Sequence, residues 1–201
     1  MAEDRAGLPI IAFADAEAWE AWLAAQPADS KGVWLKLAKA ASGIATVAKR
    51  DAIDGALCHG WIDGQLDKYD ADYWLIRFTP RRPGSKWSEV NRKRASELGA
   101  QGRLEVTGLG QIERAKADGR WDAAYAPQSR AIVPDDLRSA LEASPRALAF
   151  FDTLTGANRY AILYRIADAK TSDTRASRIA KFVAMCERGE TVHGRPAPIT
   201  A

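Results

Sequence analysis

Apolar positions along this chain fall into helical stripes interrupted by short runs of strict alternation. Trp19, Trp22 and Leu23 recur at i, i+3 and i+4, the spacing of one helix face. Asp15 precedes them, where its carboxylate can accept from free first-turn N–H groups, and Pro27 marks the end. Residues 1–12 show no period and read as a frayed lead. Val33, Leu35 and Leu37 alternate with Trp34 and Lys36, which predicts a half-buried strand over 33–38. A turn at 41–43 leads to a helix capped by Thr46, with Ile53, Ala56 and Leu57 on its face and Gly60 as its terminating glycine. Alternation returns in 61–66 and 73–79 around an acidic loop (Asp67, Asp70, Asp72), predicting an antiparallel hairpin. In its second strand Trp74, Ile76 and Phe78 take one side. Tyr73, Leu75, Arg77 and Thr79 take the other. Pro80 and Pro83-Gly84 break that strand.

From there the pattern is helical. One helix starts at Ser85 or Ser88 and runs to about residue 98, and another spans 109–118. An irregular aromatic connector over 120–133, with Trp121, Tyr125 and Pro127, is where the chain is expected to divide. Beyond it, 134–143 buries Leu137 and Leu141. Ser144-Pro145 reads as N-cap and first residue of a helix presenting Leu148, Phe151 and Leu154. Residues 156–169 place Tyr160, Leu163 and Ile166 on one face. A last helix opening at Ser172 carries Ile179, Phe182, Val183 and Cys186 and stops at Gly189. The tail after His193, with two prolines, is expected to be loose. The fold class is therefore α+β: a small antiparallel β-sheet packed with helices in residues 1–125, followed by an all-α C-terminal module in 126–201.

Composition narrows the picture. At 201 residues the chain is long enough to bury a core without staples. Its two cysteines, Cys58 and Cys186, lie far apart, and the acidic start lacks an apolar signal region, so a reducing cytoplasm is the expected location. No run approaches the length of a membrane span. The histidines, His59 and His193, and the lone cysteines give no metal-ligand spacing, so neither metal nor cofactor is expected. Net charge is only +3, but residues 77–94 hold seven basic side chains against one Glu.

That basic stretch is the candidate site. Guanidinium groups bind carboxylate or phosphate in a planar fork, and the prolines and Gly84 pin the turn that carries them. A ligand held between the hairpin and this turn would meet Arg77, Thr79, Arg81, Arg82 and Lys86 for charge. Trp61 and Trp87 would stack, and Asp63, Gln65 and Asn91 would orient polar groups. The competing reading is an Asp63–Arg77 cross-strand pair with no ligand. Cys58 reads as a small buried apolar residue, and His59 as a helix C-terminal residue, with general base as its alternative role. GLGQ at 108–111 is too short for a dinucleotide fingerprint. Arg175, Arg178 and Lys181 share a face of the last helix, read as solvated or as a surface for an acidic partner, a membrane surface or nucleic acid.

Three ordered motifs, ALCHGWIDGQ, RFTPRRPGSKWSEVNRKRA and AKADGRWDAAY, followed by PDDLRSAL and TRASRIAKFVAMCERG, resemble the YdeI/OmpD-associated, or bacteriocin-protection, family over roughly residues 30–190. The resemblance implies a bacterial, soluble protein linked to stress or to tolerance of antimicrobial peptides, and it transfers no catalytic residues. The leading expectation is a binding protein for an anionic or peptide-like ligand, with a protein partner also considered. The alternatives are an enzyme using Asp63 or His59 as acid/base with Arg77 as electrostatic stabiliser, and a nucleic-acid binder.

Overall fold

The structure is a computed structural model and describes residues 3–194. It forms two compact units, Met1–Ala124 and Tyr125–Ala201. The first holds a five-stranded sheet with helices and the second is helical, so the α+β class stands.

In the first unit the chain runs β1 (Asp4–Arg5), β2 (Leu8–Ile11), α1 (Ala16–Ala24), β3 (Val33–Ala38), α2 (Lys49–Cys58), β4 (Trp61–Lys68), β5 (Tyr73–Pro80), α3 (Glu89–Ala100) and α4 (Val106–Ala117). The strand order is β1-β2-β3-β5-β4. All pairs are antiparallel except β2 with β3, so the sheet is mixed. That parallel pair exists because α1 serves as a crossover that brings the chain back in the same direction. The lead expected to fray is thus strand over its described part. Ile10 and Ile11 pair with Trp34 and Leu35, and the Ile10 N–H donates to the Glu3 carbonyl at 2.9 Å. Four residues of β2 are too few for periodicity to show.

The sheet has two unlike faces. One carries Val33, Leu35, Leu37, Ile76, Phe78 and Trp61 and packs against Trp19 and Leu23 of α1 and Ala52 and Ala56 of α2. Each large side chain buried there contributes about 1.5–3 kcal/mol of transfer free energy, which makes this the dominant core of the unit. Trp19 and Trp22 stack with centroids 5.4 Å apart, and the Trp19 indole N–H donates to the Ala52 carbonyl at 3.0 Å. The opposite face was expected to be wet at β3, yet Trp34 is buried there with Leu8 and Leu75. The N-terminal segment covers it. The Trp34 indole donates to the Arg5 carbonyl at 3.0 Å, and the Arg5 guanidinium reaches Asp67 at 2.5 Å and the Lys68 carbonyl at 3.1 Å. Lys36 lies over the rings of Tyr69 and Tyr73, at 4.2 and 4.4 Å.

Caps follow the sequence in part. Asp15 accepts from Ala18 N at 2.9 Å, and Ser88 starts α3 by accepting from Asn91 N at 3.0 Å. Thr46 does not cap α2, which begins after Ala48. Its hydroxyl oxygen instead accepts from Ala38 N at 3.0 Å and holds the end of β3. Gly60 ends α2 at φ 76°, a left-handed conformation that favours glycine.

The second unit runs α5 (Asp135–Glu142), α6 (Pro145–Thr153), α7 (Gly156–Ala167) and α8 (Ser172–Glu187). Ser144 caps α6, with Pro145 in its first turn. Its core gathers Leu137, Leu141, Phe150, Phe151, Ile162, Ile166, Phe182 and Cys186, close to the stripes read from the sequence. The expected loose tail lies, from residue 195 on, outside the described residues. No helix among the described residues is long and apolar enough to cross a membrane.

Candidate functional site

The N-terminal segment covers only part of its sheet face. At the remaining end, β4, β5 and the basic turn enclose a cleft of about 280 Å³ lined by Ile62, Asp63, Gly64, Gln65, Arg77, Thr79, Pro80, Arg82 and Ser85. Strand register explains the mixture. Arg77 lies opposite Trp34 on one side and Thr79 opposite Ile62 on the other, so both side chains leave the sheet on the covered face. Asp63 pairs with Phe78 and belongs to the other face by register. Between Asp63 and Leu66 the ladder shifts, so Gly64 and Gln65 together oppose Arg77.

Arg77 is the unusual member. It is half-buried, its Nε is fully shielded from solvent, and that Nε has no hydrogen-bond partner among the described residues. The Asp63–Arg77 pair of the competing reading is not formed. Asp63 instead accepts a long bond, 3.5 Å, from the Asn91 amide on α3. Leaving a charged donor buried without an acceptor costs about 1–3 kcal/mol.

The turn carrying Arg82 is held from four sides. Arg82 N donates to the Ser85 hydroxyl and Ser85 N to the Arg82 carbonyl, both at 2.9 Å. Gly84 supplies the positive φ of 86°. The Arg120 guanidinium donates to the Ser85 carbonyl at 2.7 Å, and Gln111 donates to the Arg81 carbonyl at 3.1 Å. Arg82 itself is exposed, so its charge is presented on a fixed backbone. A second cleft of about 390 Å³ shares Thr79, Pro80 and Arg82 and is completed by Ala28–Lys31, Arg81 and Pro83.

The other expected site residues lie elsewhere. Trp61 is buried in the main core, edge-on to Trp22, and does not line either cleft. Trp87 is buried in a separate cluster with Leu57, Cys58, Leu98 and Ile112, 4.8 Å from Trp121. Arg81 is only 4% exposed, and its guanidinium stacks 3.6 Å from the Trp87 ring centroid and donates to the Lys86 carbonyl at 3.1 Å. So Arg81, Lys86 and Trp87 support the turn, while Asn91 positions Asp63. Burial pushes the Cys58 thiol up to about 11, and burial also holds the His59 imidazole below its ordinary value. Among the described residues no group of three or more His, Cys, Asp or Glu could hold a metal ion.

GLGQ is explained by packing. A Cβ on Gly108 would sit 2.1 Å from the Cys58 carbonyl oxygen, so the glycine permits α4 to approach the end of α2. Sequence reading also missed a buried ion pair. Asp54 is 3% exposed and receives both Nε (2.7 Å) and Nη2 of Arg94, which also bonds Glu97 at 2.9 Å. The available signal was an acid three and four residues before the buried Leu57 and Cys58, on the helix face that should be apolar. In the second unit, Arg175 is engaged by Asp136 at 2.5 Å, and Arg178 by the Arg165 carbonyl and by Asp168 at 3.9 Å.

Neither a curated protein nor a solved structure matches the chain. Two family models do. Residues 130–189, in the helical unit, match the one described as Bacteriocin-protection, YdeI or OmpD-Associated. The central motif, cleft included, falls within residues 11–111, which match a domain of unknown function (DUF8412). That match spans half of the sequence, and the chain belongs to the DUF8412 family.

Proposed function

We propose that this protein binds an anionic or peptide-like ligand in the cleft between the β4–β5 hairpin and the basic turn. The observation that carries the reading is the Arg77 guanidinium: its Nε is buried and without an acceptor, in a cleft that also holds Arg82, Thr79 and Ser85. Two arginines at one opening offer planar donors to a carboxylate or phosphate, and the hydroxyls of Thr79 and Ser85 offer further donors. The turn is already ordered, so little conformational entropy is lost on binding.

The test is a thermal-shift series with inorganic phosphate, acetate, citrate and short peptides, with and without Arg77→Gln. A ligand at about a hundred times its dissociation constant adds roughly 2.7 kcal/mol, a readily seen shift. The shift is expected to vanish in Arg77→Gln while the unliganded melting temperature does not fall, because Arg77 forms no ion pair to lose and its buried Nε has no acceptor. A shift that survives the substitution, or none across the series, overturns the reading.

A further inference from the structure

We infer that the ligand of this cleft is the C-terminal end of an extended peptide, which adds to the sheet beside β4. This rests on the cleft reading above and narrows it. The first support is topological. β4 is the last strand of the sheet, with β5 as its strand neighbour, and Gly64, Gln65 and Leu66 on it are exposed. An outer strand offers a row of main-chain donors and acceptors to an incoming chain.

The second support is the position of the charge. The cleft opens on the same stretch of β4, Ile62 to Gln65, and Gly64, with no side chain, lies opposite Arg77 in the bulge. A carboxylate at Arg77 and Arg82 therefore sits at the level of the bulge. The rest of the chain is then directed along β4 towards Lys68, antiparallel to it, because the other direction meets the fixed Arg82–Ser85 turn. A volume of about 280 Å³ accommodates a terminal carboxylate with one side chain, so the preceding residues must leave along the edge.

The third support is Leu66. It is 54% exposed on this outer strand, in register with Ile76. Exposed outer strands usually carry charge that discourages pairing, and a large apolar side chain there is suited to a cross-strand neighbour. A peptide with a free carboxylate and an apolar residue one or two places before it, opposite Leu66, satisfies all three features.

The experiment screens a random heptapeptide library with free C-termini, and its C-terminally amidated counterpart, against the full-length protein. Inorganic phosphate is titrated in parallel, and amide hydrogen exchange is followed on β4. The expected result is enrichment from the free-acid library only, with amidation of an enriched peptide weakening it by about tenfold or more, the scale of one charge-assisted contact. Arg77→Gln should weaken it similarly, and the amides of residues 64–66 should gain protection with peptide but not with phosphate. If phosphate binds and is lost in Arg77→Gln, but free and amidated peptides bind alike or not at all, this inference falls and the cleft reading remains. The inference also falls if an enriched peptide leaves exchange on β4 unchanged. If neither phosphate nor any peptide binds, both are overturned.

Discussion

Replacing Asp54 with alanine removes the carboxylate that two nitrogens of Arg94 share in the interior of the first unit. Taking one partner from a buried pair costs about 3–5 kcal/mol, because the remaining charge stays desolvated. Two features place Asp54→Ala near the lower end. The Arg94 side chain is 21% exposed and it keeps Glu97. A loss of about 3 kcal/mol in a unit of this size lowers its melting temperature on the order of 10 °C. All seven tryptophans lie before residue 125, so their fluorescence follows this unit separately from the helical one. The double replacement Asp54→Leu with Arg94→Met removes both charges together and should recover most of the loss, ending within about 1–2 kcal/mol of wild type. A single-variant loss under about 1 kcal/mol, or a double variant as unstable as the sum of the singles, would refute the claim that this pair is desolvated and coupled.

Other outcomes follow from the same geometry. Gly108→Ala should lower the stability of the first unit by about 1–3 kcal/mol in urea titration despite alanine's better helix propensity, since its Cβ would meet the Cys58 carbonyl. Burial pushes both thiols up to about 11, so neither Cys58 nor Cys186 should react with a disulfide reagent in the native protein at about pH 8, and both should react in guanidinium. Burial lowers the His59 value in the folded state below its ordinary 6.5. As pH falls through the window between 6.5 and that lower folded value, the unfolded chain binds more protons and the first unit loses stability. Urea midpoints measured across that window should show a steeper decline for wild type than for His59→Gln, and equal slopes would remove His59 from the account.

Local order was largely legible in the sequence. The α1 stripe, the alternation of β3 and β5, Gly60 and the Ser144-Pro145 start each depend on neighbours within a few residues, and they recur in the structure. Side-chain alternation alone placed Arg77 and Thr79 together, because period two is a property of any strand. What tertiary structure decided is where distant segments meet. β2 is too short to announce itself and exists because Trp34 and Leu35 offer it a partner. Trp61 and Trp87 looked available for a ligand, but burying their aromatic surface in cores is worth more than leaving it exposed at a cleft. The Asp54–Arg94 pair joins residues 40 apart and has only a misplaced acid as its local sign. The same holds for Arg77. Its face was set by the strand period, but the register of β4 against β5 puts Asp63 opposite Phe78, on the other face, and Arg77 is left without its cross-strand acid.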